Sequence, residues 1–430
     1  MIPHQFSFVS FPSSHTLYSR SPIISSRIPS QLHHLPTSRS FSARKLHVLS
    51  CNTLQSSSNS LKPKQQAILD LQHASTPYQI LDIIHKNPQF LSNPIHLIPS
   101  LYRISRLALQ PVHSSNTNSI SKSIEHIILS PLLIHLSSHS LSISNSISIF
   151  KSLALLSLPK SSIVMQLIHV LHDQFTGEES IAEHGIETQL DGIQISALDW
   201  SYQIIGFQYE IETEFFVVPK SVREFMERLP FRVIPNGLKS MKEVMNVERI
   251  KSEVHFKRDL IQVGKNGQKV EEQRQTAWIS DEDIVFEYSG KSMKSEGNTF
   301  NPLLKSIGDE IVQFVPVKGS ESVKFDGLLV NLYENGRCSM GFHSDPGVGE
   351  KWSDRTAVVS IGDTRVFAFR NANEPNDQRN RFEFHVRNCD VVVMFDDCQS
   401  RFQHAIKPEK HADNASPRIS LVYKEKYRNA

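Results

Sequence analysis

Cysteine is scarce: four in 430 residues (Cys51, Cys338, Cys389, Cys398), with no Cys-x-x-Cys pair. That excludes a disulfide scaffold and a zinc knuckle, and it fits free thiols in a reducing compartment. Gly-x-x-x-x-Gly-Lys and Gly-x-Gly-x-x-Gly elements are also missing, so nothing signals a triphosphate cradle or a dinucleotide crevice. No apolar run approaches the roughly 18 residues a bilayer span requires, because Ser and His interrupt each one; no membrane association is expected. Acidic residues are absent until Asp70, although the whole chain is nearly balanced at net charge +2. What precedes Asp70 is serine-rich and carries Phe6, Phe8, Phe11, Arg20, Arg27, Arg39 and Arg44. This is the composition of an organelle transit peptide. Residues 1–60 are therefore set aside as a disordered targeting tail, with the chloroplast as expected destination and the mitochondrion as alternative.

From residue 63 to about 210 apolar residues recur at helical spacing: Ala67, Ile68, Leu71; Ile80, Leu81, Ile83, Ile84; Leu97, Ile98, Leu101, Ile104. Breaks at Thr76-Pro77, Asn87-Pro88, Asn93-Pro94 and Ser130-Pro131 punctuate them. The pattern predicts an α-helical bundle or short helical-repeat domain over 63–210, with a protein or RNA partner as its expected use.

The second half changes period. Leu329-Val330-Asn331-Leu332-Tyr333, Val391-Val392-Val393-Met394-Phe395 and Arg418-Ile419-Ser420-Leu421-Val422-Tyr423-Lys424 read as strands. In a strand, residues i and i+2 share a face, so His343 and Asp345 of His-Ser-Asp present two metal ligands to one point. With His404 they make a 2-His-1-carboxylate set, which suits mononuclear iron(II) and leaves open positions for a co-substrate and dioxygen. Arg418, Ser420, Val422 and Lys424 share a face by the same rule. A cation there needs an anionic partner, because burial of an unpaired charge is costly; a dicarboxylate would supply it.

Several blocks fall in the order and spacing of a known family: Asn331-Leu-Tyr333, Gly341-Phe-His343-Ser-Asp345, Ser360-Ile-Gly362-Asp-Thr-Arg365, Asp390-Val-Val-Val-Met394, Phe402-Gln-His404 and Pro417-Arg418-Ile-Ser420. Over roughly residues 215–427 the chain resembles the AlkB-like iron(II)- and 2-oxoglutarate-dependent dioxygenases. Upstream, Arg274-Gln-Thr276-Ala-Trp278 and Tyr288-Ser-Gly-Lys291 resemble the family's nucleotide-recognition lid. The resemblance implies an α+β chain whose residues 211–430 form a double-stranded β-helix (jelly-roll) oxygenase domain. It implies His343, Asp345 and His404 as catalytic iron ligands, and Asn331, Tyr333, Arg418, Ser420 and Lys424 around 2-oxoglutarate. Trp278 and Tyr288 would stack the substrate and close the lid, and Arg274 and Lys291 would contact it. Lys265, Lys269 and Lys294 would join Arg274 and Lys291 in tracking phosphates, and Arg365 would wall the pocket. One departure stands out. The family's last strand reads Arg-x-Asn-x-Thr-x-Arg, whereas here it is Arg418-x-Ser420-x-Val422-x-Lys424, and a lysine lacks arginine's planar fork.

The implied reaction converts 2-oxoglutarate and dioxygen to succinate and carbon dioxide. It hydroxylates an N-methyl group on alkylated DNA or RNA, of the 1-methyladenine or 3-methylcytosine type, which is then lost as formaldehyde. Two alternatives keep part of this reading. One is an oxygenase that hydroxylates a protein side chain or small metabolite; the other is a catalytically inactive RNA-binding or scaffold protein.

Overall fold

The computed structural model describes residues 63–108, 117–139, 141–176, 189–212, 216–263, 267–280, 284–295, 300–317, 322–409 and 415–428. The tail assigned to import, together with Cys51 and Lys265, lies outside the described residues. The other three cysteines are free and buried.

The described residues between 63 and 209 are mostly helical, as the periodicity predicts. The helices include Pro77–Lys86, Pro94–Ala108, Ser130–Ser138, Ile143–Leu156, Ser162–Thr176 and Gly192–Tyr209. Local chemistry sets their starts. Thr76 Oγ1 accepts the Gln79 N–H and Gln79 Oε1 accepts the Thr76 N–H, both at 3.2 Å, with Pro77 in the first turn. The break expected at Ser130-Pro131 is not one. A π-helical turn, Glu125–Leu129, leads into Ser130, whose N–H and hydroxyl both reach the Glu125 carbonyl. The wider turn admits the proline ring without ending the helix. No helix among the described residues is long and apolar enough to cross a membrane.

The strands are β1 Phe231–Ile234, β2 Leu260–Val263, β3 Gln268–Glu271, β4 Gln275–Ser280, β5 Phe286–Tyr288, β6 Lys291–Met293, β7 Gly327–Tyr333, β8 Met340–His343, β9 Trp352–Gly362, β10 Arg365–Asn371, β11 Arg381–Val386, β12 Val391–Met394, β13 Phe402–Ile406 and β14 Arg418–Lys426. A six-stranded antiparallel sheet runs β1-β12-β9-β14-β7-β4, and a four-stranded one runs β11-β10-β13-β8. Phe231 of the large sheet stacks on Phe369 of the small one at 3.8 Å between centroids, which marks where the two sheets face each other.

Alternation along the large sheet separates two environments. Leu328, Val330, Leu332, Val359, Ile419 and Leu421 point outward into a core closed by Leu304, Ile307 and Ile311 of the helix Pro302–Ile311. Asn331, Tyr333, Ser360, Arg418, Ser420 and Lys424, also buried, occupy the alternate positions. In register, Arg418 lies opposite Tyr333, Ser420 opposite Asn331 and Lys424 opposite Gly327.

The helical and sheet regions, read from sequence as 63–210 and 211–430, pack as one compact unit spanning residues 61–430. A single apolar cluster runs from Leu153, Ile168 and Trp200 into Phe231, Phe369 and Phe382. The seam is tight. A Cβ on Gly192 would lie 2.5 Å from the Arg381 carbonyl oxygen, so the helix Gly192–Tyr209 approaches the start of β11 with no side chain between. Four residues on, Ser196 Oγ accepts the Glu383 N–H at 3.1 Å.

Gly327 is a second close approach. A Cβ there would sit 2.3 Å from Cη2 of Trp278, whose ring fills the space left by the missing side chain. Gly327→Ala is expected to destabilise the protein by about 1–3 kcal/mol, the usual cost of overpacking a filled core. It should also shift tryptophan fluorescence. Thermal unfolding followed by fluorescence checks this, and an unchanged midpoint would mean the ring has room to move.

Candidate metal centre

His343 and His404 are directly opposed across β8 and β13, with ring centroids 4.3 Å apart. Asp345, just past the end of β8, brings Oδ1 to 3.7 Å from His343 Nε2 and 3.6 Å from His404 Nε2. All three donor atoms lie within 4.8 Å of one another, as ligands of one ion must. His343 Nδ1 sits 2.9 Å from the Gly341 carbonyl oxygen, so that nitrogen donates and Nε2 keeps its lone pair. Phe367 lies nearly parallel to His404, 5.8 Å away at 13°. Burial lowers both imidazoles below their ordinary value, His404 to about 3. They are neutral at neutral pH, the form that binds metal.

Burial would raise the Asp345 carboxyl. The Lys424 ammonium, 2.7 Å from Oδ2, and the two imidazoles outweigh that and hold it well below the usual carboxylate range. Gln399 steadies the same residue, its Oε1 accepting the Asp345 N–H at 2.8 Å and its Nε2 lying 3.4 Å from Oδ2. The expectation that Lys424 grips the co-substrate is therefore corrected. Its ammonium is committed to the ligand carboxylate, and it passes 5.9 Å from the centroid of Phe286 on the way.

Arg418 is wholly buried behind Tyr333, whose ring centroid is 5.2 Å from the guanidinium carbon. Its Nε donates to Ser360 Oγ at 3.1 Å, while Nη1 and Nη2 have no hydrogen-bond partner among the described residues. Burial lowers it to about 10, with the charge of Arg365 adding and Tyr333 opposing, so it stays cationic at neutral pH. Two parallel orphaned donors on a buried fork match a carboxylate. Asn331 is held between neighbours, its Oδ1 accepting from Arg274 Nε at 2.8 Å and its Nδ2 reaching Ser420 Oγ at 3.3 Å. A small cavity joins the triad to Asn331, Tyr333 and Ser420, with Arg274 and Met340 also on its walls; Arg418 lies behind Tyr333 and does not line it. The donor set and the free fork together fit iron and a dicarboxylate.

Of the five residues expected to meet substrate, Arg274 alone lines this cavity. Trp278 is corrected to a core residue. It is 1% exposed, stacked on Phe286 at 4.7 Å, edge-on to Trp352, with Nε1 donating to the Ile284 carbonyl at 2.7 Å. Both faces and the N–H are spent, so the ring has none to offer a base. Tyr288 is half-buried and its hydroxyl donates to Glu272 at 2.6 Å. Lys291 is buried, paired with Glu272 at 2.8 Å and Asp259 at 2.7 Å, and donates to Thr276 Oγ1 at 2.7 Å; it has no donor left for a phosphate. Arg365 faces no substrate either. It bonds Asp363 at 2.8 Å and the Ser416 carbonyl at 2.8 Å, bracing the chain that leads into β14. Lys269 and Lys294 are exposed.

Sequence reasoning missed Glu272 and Gln399. Glu272 is 1% exposed and holds Arg274, Lys291 and Tyr288 together. The available signal was that two cations in a buried stretch demand an acidic partner.

Removing the ammonium tests its pairing with Asp345. Lys424→Met should cost the metal-free protein about 3–5 kcal/mol, since it strands a buried carboxylate. Cobalt(II), standing in for iron(II), should recover part of this, giving a larger metal-induced rise in melting temperature than in the parent protein. Equal rises in both would sink the assignment.

Comparison with known proteins agrees with this geometry. Residues 230–424 match the model of the 2OG-Fe(II) oxygenase superfamily. An uncharacterized protein of Acanthamoeba polyphaga mimivirus is 34% identical over 201 residues, covering 46% of this chain and 95% of its own. Alpha-ketoglutarate-dependent dioxygenase alkB homolog 3 is 27% identical in Bos taurus and 26% in Homo sapiens, each over 161 residues and 36% of this chain. The chain spans about half the length of those two, 52% of each. The solved structure of OsALKBH1 aligns at TM-score 0.33 and 15% identity, over 46% of this chain and 97% of that one. With the blocks around His343, Asp345, His404 and Arg418, the family model and the sequence relatives establish that the chain belongs to the 2OG-Fe(II) oxygenase superfamily as an AlkB-like dioxygenase, an oxidoreductase that works with iron(II), 2-oxoglutarate and dioxygen.

Proposed function

We propose that this dioxygenase removes N-methyl groups from alkylated bases, of the 1-methyladenine or 3-methylcytosine type, in DNA or RNA. One observation carries the proposal: the His343, Asp345 and His404 donors meet in a cavity that Arg274, Asn331 and Tyr333 also line, with the buried, unpaired Arg418 fork behind Tyr333. Iron(II) bound there supplies the oxidation, coupled to conversion of 2-oxoglutarate and dioxygen to succinate and carbon dioxide. The chain's own residues supply the positioning. Arg418 offers its two free Nη donors to the far carboxylate of 2-oxoglutarate. Asn331 and Tyr333, on the cavity wall, orient the co-substrate, and Ser420 fixes the Asn331 amide. Lys424 and Gln399 hold Asp345 so that Oδ1 faces the two imidazoles. Arg274, kept in place by Glu272 and Asn331, stands where the methylated base would enter. Hydroxylation of the N-methyl carbon leaves an unstable hydroxymethyl adduct, which releases formaldehyde and restores the base. A base reaches this depth only if it leaves its stack. A groove beside β4 and β6, lined by His255, Lys257, Arg258 (paired with Glu334), Asp259 and the exposed Lys294, is net basic and supports a polyanionic substrate.

We take the two facing sheets as the halves of a double-stranded β-helix, and residues 1–60 as a chloroplast, or alternatively mitochondrial, import signal. A second substrate reading gains from one observation. Trp278 and the Tyr288 hydroxyl are already engaged, so a protein side chain or small metabolite, which needs no stacking lid, also suits the cavity.

The test is turnover by the full chain with iron(II), ascorbate, 2-oxoglutarate and matched methylated DNA and RNA oligonucleotides, with His404→Ala as blank. Succinate and formaldehyde should rise together on methylated strands alone. Succinate without base repair would discard the substrate and keep the oxygenase. Arg418→Met should raise the KM for 2-oxoglutarate roughly 100-fold or more, the cost of losing a two-pronged charge contact, with metal affinity little changed. An unaltered KM would remove Arg418 from co-substrate binding.

A further inference from the structure

Away from the metal centre, a cleft of about 320 Å³ opens between the helices Pro94–Ala108, Ile143–Leu156 and Gly192–Tyr209. That is within the size range of small-molecule sites. Half of its lining is apolar, with Ile95, Ile98, Ile147 and Ile193 prominent, and Ile95 at 66% exposure is left largely uncovered. The other half of the lining is polar-ended: Tyr102, Ser144, Asn145, Ser148, Lys151 and Gln194. Lys151 and Tyr102 both line the cleft, with the ammonium 5.7 Å from the ring centroid.

Lys151 borders a cation-rich seam between the helices and the β11 and β13 region. Glu409 is taken by Arg106; Glu383 is taken by Lys407 and approached by Arg381 at 3.6 Å. Among the described residues, Arg106, Lys151, Arg381 and Lys407 stand beside Glu383 and Glu409, four cations to two carboxylates. Donors in the seam are left over as well. Arg106 Nη1 and Arg381 Nε are buried without a hydrogen-bond partner, the latter 3.6 Å from Glu383 Oε1; neither ring nitrogen of His385, 2% exposed, is bonded, nor is Glu409 Oε1. A buried excess of positive charge with unpaired donors favours an anion. Aliphatic walls favour an apolar body.

We propose that this three-helix cleft binds a small amphipathic carboxylate, its chain along Ile95, Ile98, Ile147 and Ile193 and its carboxylate on Lys151. The site is separate from the oxygenase cavity and shares no lining residue with it. Burial lowers the Lys151 ammonium to about 8, with Glu383 opposing and Arg106 and Lys407 adding. Lys151 stays largely cationic at neutral pH, and binding weakens as pH rises through about 8 and the charge is lost. Tyr102, Glu383, Arg106, Lys407 and His385 are the charged or titratable groups around it among the described residues.

Calorimetric titration of the full chain with decanoate, and with decanamide as the uncharged control, tests the proposal. One decanoate should bind per chain. Lys151→Met should weaken it roughly tenfold or more, the scale of one lost charged hydrogen bond, with decanamide affinity unchanged. Ser148→Trp, which places an indole in the cleft, should abolish both. A pH series on the unaltered protein keeps the test independent of how either variant folds. No heat from decanoate, an unchanged affinity in Lys151→Met, or binding indifferent to pH between 7 and 9 would each overturn the site.

Discussion

The chemistry of this protein depends on the register of one strand. β14 lies between β7 and β9, and its alternate residues aim Arg418, Ser420 and Lys424 into the interior while Ile419, Leu421 and Tyr423 fill the opposite core. A slip of one position would exchange the two sets and put a guanidinium and an ammonium into hydrocarbon. Register is therefore enforced by packing on one side and by charge on the other. The Tyr423 hydroxyl, bonded to the Leu304 carbonyl at 2.7 Å, pins the apolar side, and the Lys424 pair with Asp345 pins the polar one. Arg365 extends the constraint to the strand's entry by holding the Ser416 carbonyl.

The metal donors show how far local sequence reaches. The two-residue spacing anticipated that His343 and Asp345 converge, although β8 ends at His343 and Asp345 lies just past it; the strand signals placed Asn331 and Arg418 on one face, a property of single strands. What failed were judgements that depend on partners distant in sequence. Trp278 reads as a lid aromatic, but the absent side chain at Gly327 and the rings of Phe286 and Trp352 draw it into the core. Lys291 reads as a phosphate contact until Glu272 and Asp259 are seen to occupy it. Lys424 could be placed on the right face, yet its partner is set by how the loop after β8 returns to the large sheet. Ser130-Pro131 misled for a local reason, since a π-turn absorbs a proline that a regular helix would reject.

The division into a helical half and an oxygenase half was legible as a change of period and not as a break in packing. Gly192 lets a helix rest on the main chain near β11, and Ser196 ties into that strand's backbone. β11 pairs with β10 and β10 with β13, the strand that carries His404. The helices thus form part of the wall behind the metal-bearing sheet, joined to it by the Ser196 hydroxyl on β11 and from there by backbone hydrogen bonds through β10 to β13.

The two oxygens of Asp345 have different neighbours. Oδ2 faces an ammonium supplied by the chain, and Oδ1 faces the imidazole pair. A carboxylate that is already neutralised on one side does not need an ion to survive burial. The polypeptide can therefore reach its final shape first and take up its metal later, and it can lose that metal without losing its shape. The pair thus allows folding and metal loading to be separate events, in contrast to small domains whose structure exists only while an ion holds it.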